Sequence, residues 1–383
     1  MRTLVVVRTL KIGGMERVAV NLADAFAAQG HESHLMTFKV RPPHLSPQDT
    51  RVHVHHFALS RAMWRSGLGG AVDIAARVGN AVIRKSHFLI AGWWGGRLFQ
   101  RELHRLEQRH GRFDRIIFRG MGTFEAIWSF RDPRACYVLE NILKMDGQRD
   151  RLARRKARCL FHGKHLVSVS AGVERQVDAT LRELGIVPAS LRTITNPCPI
   201  VDIRRAAQAD SPATAHAPYL LNVARLVPQK NHRLLLQAYA LLRTSLPLVI
   251  VGDGPLRKEL EALAAELGVA DRVHFAGRQL NPYPWMQHAR LFVLSSTHEG
   301  LGIVLLEALA CGTPVVSVDC PGGVRDIMHG ELSAYLSEMT PEALAVRVDT
   351  TLEADGYPID EHWLDAFSPA QVTAKFLQEP ADP

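Results

Sequence analysis

The chain has 383 residues, of which 47% are hydrophobic and 22% charged. That is more than one ordinary domain holds, comfortable for two, and too apolar for wholesale disorder. Charge is divided unevenly. Residues 1–200 carry 32 Lys and Arg against 16 Asp and Glu, and residues 201–383 carry 14 against 22, so the first half is expected to meet an anionic partner unless its basic face is simply solvated.

Thr3–Val7 is a short β-rich apolar run, too short for a signal-peptide core, so a cytoplasmic location is expected. A loop, Lys11-Ile12-Gly13-Gly14, leads into Glu16–Gln29, where Val18, Leu22, Ala25 and Phe26 fall at helical spacing and Gly30 stands as the stop. His34–Phe38, Arg115–Phe118, Ala135–Leu139 and His165–Ser170 read as further strands. Strands separated by helices imply βαβ units and a parallel sheet. Asn196-Pro197-Cys198-Pro199 then stops regular structure, and Ala209–Pro218 is rich in Ala, Ser, Thr and Pro. Overlapping this region and running past it is Ser211–Ala224, the longest stretch free of Asp, Glu, Lys and Arg. Its 14 residues fall short of the roughly 20 that a membrane-spanning helix needs.

The pattern then restarts. Tyr219–Val223 is a strand, His232–Leu242 a helix, and Leu248–Val251 a strand ending in Gly252-Asp253-Gly254-Pro255. A helix runs on to Leu267, with Asp253 as its expected cap and Gly268 as its stop. Arg272–Phe275, Leu291–Leu294 and Thr313–Val318 continue the series, and Glu361–Gln378 is helical in pattern. The predicted fold class is therefore α/β: two doubly wound, Rossmann-like domains facing across a cleft. The boundaries are 1–197, 198–360 and a final helical segment, 361–383. Cys136, Cys159, Cys198, Cys311 and Cys320 are scattered without a CxxC pair, which suits reduced thiols and neither a disulfide framework nor a zinc site.

Three loops carry chemistry. Ser296–Gly302 follows a strand and opens a helix, with Glu299 in the loop and Glu307 eight residues on. Free N–H groups beside Gly300, Gly302 and Ile303 would suit a phosphate, and the carboxylates would suit sugar hydroxyls. A capping Glu299 and a paired Glu307 would read the same way from spacing alone. Arg225 and Lys230 share one loop after a strand and could clamp a diphosphate, or be two solvated cations. Gly13 and Gly14 sit before a helix start, as either a ligand approach or a tight turn. No GxGxxG is present, and Asp253 has no DxD partner.

In order, Gly13-Gly14-Met15-Glu16-Arg17, Arg225 with Lys230, Gly252-Asp253-Gly254-Pro255, Phe275-Ala276-Gly277-Arg278 and the Glu299/Glu307 pair resemble the GT-B glycosyltransferases. Within these the resemblance is to the retaining glycosyltransferase family 4 and its E-x7-E motif. The stretch Glu307–Val316 continues that signature. The resemblance covers the C-terminal half nearly end to end and the N-terminal half mainly over its first 40 residues. It implies that the final helical segment, 361–383, returns to the first domain, that Arg225 and Lys230 neutralise the donor diphosphate and that Gly14 packs against the distal phosphate. Glu299 would meet donor-sugar hydroxyls, Glu307 the ribose hydroxyls, and the chain near Arg278 the base. Fixed cations would oppose the charge growing on the leaving diphosphate, with no cofactor or metal required. One departure stands out: where the family carries a histidine in the first domain, this chain has Asn141, which can bond a sugar hydroxyl but cannot act as acid or base at neutral pH.

The implied activity is transfer of a hexosyl- or N-acetylhexosaminyl-type sugar, from a UDP-sugar by family habit and with retention. The acceptor would be lipid-linked or of lipopolysaccharide or polysaccharide type, in a bacterial setting. Acceptors of this family bind the first domain, here the basic one. Residues 84–101 place Trp93 and Trp94 between basic flanks including Arg84, Lys85 and Arg97, and Arg149–Arg158 is a second basic run. Both suit peripheral binding to an anionic inner membrane face, and the tryptophans equally suit an internal contact. No nucleic-acid motif appears, so no such partner is expected. The alternatives are a non-catalytic GT-B sugar-nucleotide-binding or scaffold module, and another two-domain α/β enzyme such as an epimerase or NAD-dependent oxidoreductase.

Overall fold

The structure, a computed structural model, describes residues 1–10, 13–39, 45–67, 87–143, 151–213 and 217–378. The chain forms two compact α/β units. One is Met1–Pro197 together with the stretch from Pro369, and the other is Cys198–Ser368.

Among the described residues the first unit holds a seven-stranded sheet built from β1 (Arg2–Val7), β2 (Glu32–Thr37), β3 (His53–His56), β4 (Arg115–Arg119), β5 (Ala135–Leu139), β6 (His165–Ser168) and β7 (Ser190–Thr193). Their order is β3-β2-β1-β4-β5-β6-β7, and every pair is parallel. Parallel strands covered on both faces read as unbroken apolar runs. Leu4–Val7 and Ala135–Leu139 are such runs, and all their residues are buried. The helix Gly14–Ala28 buries Val18, Leu22, Ala25 and Phe26, the stripe its spacing predicts. β6 stops at Ser168, short of the predicted Ser170, because the Ser170 hydroxyl caps the next helix by accepting from the Val173 N–H at 3.1 Å.

The helix His87–His110 contains the aromatic stretch. A Cβ at Gly92 would lie 2.1 Å from the Glu125 carbonyl oxygen, and one at Gly95 would lie 2.1 Å from that of Ala126. These glycines let the helix press directly on the backbone of the next one. Glu361–Gln378 is two helices and not one, His362–Asp365 and Pro369–Leu377. Pro369 lacks the N–H that would continue a helix but suits the first position of a new one. In the Pro369–Leu377 helix, Phe376 meets Phe26 edge-on at 6.5 Å, and its carbonyl accepts from Arg115 Nε at 3.2 Å.

The second unit has a six-stranded parallel sheet, β10-β9-β8-β11-β12-β13. Its strands are β8 (Tyr219–Val223), β9 (Leu248–Val251), β10 (Val273–Gly277), β11 (Ala289–Leu294), β12 (Val315–Val318) and β13 (Leu336–Ser337). Strand order runs one way from β8 through β9 and β10, and the other way from β11. The switch point therefore lies between β8 and β11. In such sheets the crevice for a ligand opens outside the carboxyl ends of the two strands at the switch. No helix among the described residues is long and apolar enough to cross a membrane.

Candidate functional site

The loops leaving β8 and β11 carry the two strongest sequence candidates and are bound to each other. Lys230 Nζ donates to Glu299 Oε1 at 2.6 Å, with side chains 19% and 8% exposed. The Ser296 hydroxyl donates to the same oxygen at 2.6 Å. Around this pair the backbones are stitched together. The Thr297 N–H donates to the Gln229 carbonyl at 2.8 Å, Gln229 Nε2 to the His298 carbonyl at 2.9 Å, and the Ser295 hydroxyl to the Lys230 carbonyl at 3.0 Å. The predicted cation and acid are thus one buried unit. Glu299 fixes the ammonium of Lys230 instead of standing apart from it.

A helix, Ile303–Ala310, starts directly after this loop, with Gly302 ahead of it in the left-handed region at φ 86°. No side chain among the described residues caps it, so its first turn offers N–H groups without a capping side chain. Glu307 lies in its second turn, half-buried, and accepts from the Tyr283 hydroxyl at 3.2 Å. Arg225 is exposed just past β8 and has no side-chain partner among the described residues. Arg278 is exposed just past β10. The structure brings Lys230 and Glu299 into contact. Arg225, Arg278, Gly300, Gly302, Ile303 and Glu307 lie on loops and a helix at the same edge of the sheet.

Two further loops hold these in place, and each depends on a glycine. A Cβ at Gly252, where φ is 147°, would fall 1.8 Å from the Ala224 carbonyl oxygen, so the Gly252-Asp253-Gly254 turn lies flat on the Arg225 loop. Leu226 donates its N–H to the Asp253 carbonyl at 3.1 Å. The Asp253 carboxylate accepts from the Gly254 N–H at 2.8 Å and does not cap the helix, which begins later, at Arg257. The cap predicted there is replaced by a turn that braces the cation loop. Likewise a Cβ at Gly322 would fall 1.7 Å from the Glu299 carbonyl oxygen; the Glu299 N–H donates to the Pro321 carbonyl at 3.0 Å, and the Gly323 N–H donates to the Glu299 carbonyl at 3.1 Å. The Cys320–Gly323 brace escaped the sequence reading, although Pro321-Gly322-Gly323 after a strand was its signal.

His232 begins the helix after Lys230 and is buried, with neither ring nitrogen paired among the described residues. Burial first, then the Lys230 charge, pushes it down to about 4. It stays neutral and adds no positive charge beside Lys230.

In the first unit, Gly13 and Gly14 open the helix after β1, beside the β1/β4 switch point of that sheet. A Cβ at Gly14 would meet nothing within 4 Å, so packing does not require glycine there. Asn141, just past β5, is half-buried, and its Oδ1 accepts from the Ile142 N–H at 2.9 Å. Beside it is a network that sequence reasoning missed. Buried Arg119 donates to both oxygens of Glu140 at 2.8 Å and to Asn196 Oδ1 at 2.6 Å. These residues lie 21 and 77 positions from Arg119, and nothing local links them.

The aromatic stretch divides. Trp94 is half-buried against the core and donates from Nε1 to the Ser66 hydroxyl at 3.0 Å. Trp93 is 40% exposed, with the Arg97 guanidinium 3.7 Å over its ring. Arg84 and Lys85 lie outside the described residues. In the second basic run, Arg151, Arg154, Arg155 and Arg158 are exposed on the helix Arg151–Phe161, and Lys156 pairs with Glu125 at 2.5 Å.

Two α/β units, each built on a parallel sheet, define the class: a two-domain α/β protein of GT-B fold. Residues 204–363, which lie within the second unit, match the family Glycosyl transferases group 1. Over 138 residues the chain is 40% identical to N-acetylgalactosamine-N,N'-diacetylbacillosaminyl-diphospho-undecaprenol 4-alpha-N-acetylgalactosaminyltransferase of Campylobacter jejuni, covering 36% of this chain and 38% of that protein. Over 181 residues it is 35% identical to the lipopolysaccharide core biosynthesis glycosyltransferase LpsE of Rhizobium meliloti, covering 45% and 52%. The chain thus spans between about two fifths and one half of these relatives. The crystal structure of Anabaena HepE in complex with UDP-glucose superposes with a TM-score of 0.67 at 18% identity, covering 98% of each chain, which shows a shared fold.

Proposed function

We propose that the chain is a retaining glycosyltransferase of the E-x7-E type, taking its sugar from a nucleoside diphosphate donor whose base is uracil. The Lys230–Glu299 pair at the switch point carries the reading. A carboxylate that holds an ammonium rigid and partly dehydrated makes a fixed positive pole. Such a pole stabilises the diphosphate that gains charge as the glycosidic bond breaks, with no reorganisation at that moment. Arg225 supplies a second cation, and the N–H groups near Gly302 and Ile303 a third set of donors. Glu307 accepts from the ribose hydroxyls, and the chain at Arg278 borders the base. Gly14 opens a helix whose N-terminus suits the distal phosphate, while at Gly13 a Cβ would lie 2.5 Å from the Glu16 carboxylate. Asn141 orients a sugar hydroxyl without transferring a proton.

The acceptor is proposed to be a lipid-linked or lipopolysaccharide-type glycan. The relatives support this through their names, one acting on a diphospho-undecaprenol-linked sugar and another in lipopolysaccharide core biosynthesis. The exposed arginines of the Arg151–Phe161 helix and the Trp93–Arg97 pair suit an anionic membrane surface. The reading is tested by thermal stabilisation with UDP, GDP, ADP and NAD, since a ligand that binds only the folded state raises the midpoint. A selective UDP shift that is lost in Lys230→Ala and Glu307→Gln is expected, and a shift with NAD alone overturns it. Proton NMR of the product's anomeric centre checks retention. Flotation with anionic liposomes checks the surface, and no recovery of protein refutes it.

A further inference from the structure

Four histidines and a glutamate gather at the β3 edge of the first unit's sheet, and the proposed transfer uses none of them. β2 and β3 pair in parallel with His34 opposite His53. Side chains two apart on a strand share a face, so Glu32 and His34 on β2 and His53 and His55 on β3 form two facing pairs. The helix His87–His110 brings its last residue onto the same face. Ring centroids lie 4.8 Å apart for His34–His53, 4.9 Å for His34–His110 and 5.7 Å for His53–His110. One oxygen of Glu32 and one nitrogen each of His34 and His53 all lie within 4.8 Å of one another.

We propose that Glu32, His34 and His53 bind a divalent transition-metal ion of the zinc type, with His110 within reach of the fourth position. Imidazole and carboxylate donors without thiolate suit zinc, nickel, copper or cobalt and not calcium or magnesium. Metal–nitrogen bonds of about 2.0–2.1 Å bring tetrahedral ligands closer together than 4.8 Å. His53 is exposed and so has room to swing inward. The remaining contacts resemble an outer shell already built. His34 Nε2 lies 3.1 Å from Glu32 Oε1, and its Nδ1 lies 2.8 Å from His55 Nε2. When metal takes His34 Nε2, the ring proton resides on Nδ1 and is donated to His55, which orients the ligand. The other oxygen of Glu32 is held by Arg2 at 2.6 Å. His34 itself is buried, with its ring edge-on to Phe113 at 4.9 Å, so the site has one dry wall and one open side.

The proposal is independent of the donor reading, because its readout is metal and not sugar transfer. The full chain is titrated with zinc chloride against a chromophoric chelator, and separately with cobalt chloride while the visible absorption of tetrahedral cobalt is followed. One tight equivalent is expected. His53→Ala, an exposed change that should leave the fold intact, and Glu32→Gln are expected to weaken it at least about tenfold, and His55→Ala to weaken it about 10–100-fold through orientation alone. His362→Ala, at a surface histidine paired with Asp365 on the other unit, is expected to change nothing. Absence of the tight equivalent in the wild type overturns the proposal, as does wild-type affinity in both His53→Ala and Glu32→Gln.

Discussion

Replacing Glu299 by Gln keeps its size and its accepting oxygen but removes the charge that faces Lys230 across 2.6 Å. Breaking a buried ion pair from one side costs about 3–5 kcal/mol, because the other charge stays buried and unpaired. Two features lower that range: the amide still accepts from Lys230 and Ser296, and the Lys230 side chain is 19% exposed to water. We therefore expect a loss of about 2 kcal/mol. For a unit of this size each kcal/mol moves the midpoint by about 2–4 °C, so the calorimetric transition of the C-terminal unit should fall by about 4–8 °C. Lys230→Met leaves the less exposed partner, Glu299, without its cation and should cost about 3 kcal/mol. The double variant removes both charges and should be less damaged than the two losses added, by about 2 kcal/mol. Losses that add within about 0.5 kcal/mol would mean that the two groups are near each other without being coupled, and the argument for a fixed positive pole would fail.

Gly322→Ala places a Cβ 1.7 Å from the Glu299 carbonyl oxygen at φ 110°; a loss of about 3 kcal/mol or more in urea unfolding is expected, together with weaker UDP binding. Gly14→Ala meets no atom within 4 Å; it should raise stability by about 0.5–1 kcal/mol while shrinking the UDP-induced shift, and an undiminished shift would remove Gly14 from the donor site. Gly95→Ala drives a Cβ to 2.1 Å from the Ala126 carbonyl and should cost about 1–3 kcal/mol with no effect on UDP affinity per folded molecule. His232, lowered to about 4 from 6.5, favours the folded state through its neutral form. That contribution is complete above pH 6.5, is lost as pH falls toward 4, and amounts to about 3 kcal/mol. His232→Leu should flatten this part of the curve of stability against pH, and an unchanged curve would refute the assignment.

Strands such as Tyr219–Val223 and Leu248–Val251 were legible from sequence to the residue. Leu248–Val251 is an unbroken buried apolar run ended by Gly252, and Tyr219–Val223 is apolar but for Asn222, whose Nδ2 donates to the Val293 carbonyl at 2.8 Å. β3 was not legible, because His53-Val54-His55-His56 is a short, polar edge strand without that signal. Within the site, residue types were readable and partnerships were not. Lys230 and Glu299 are 69 positions apart, and only the order of the strands makes them neighbours. The bracing turns at Gly252 and Gly322 were visible as glycines but not as supports, since the atoms they accommodate belong to distant loops. Trp93-Trp94 illustrates the same limit. Helical position sends one ring inward and the other out, and a linear pattern of aromatics and arginines cannot tell them apart.

The contact of Phe376 with Phe26 bears on the order in which the molecule can be completed. A ribosome releases the strands of the first unit early, yet the helix that covers its Gly14–Ala28 side is encoded after the whole of Cys198–Ser368. The unit that starts first is therefore finished last. Until Phe376 emerges, the flank of the Gly14–Ala28 helix that it will cover stays open to water or to a chaperone while an entire second unit folds. The interval in which a nascent chain is vulnerable is set here by the length of the inserted unit and not by the size of the one left waiting.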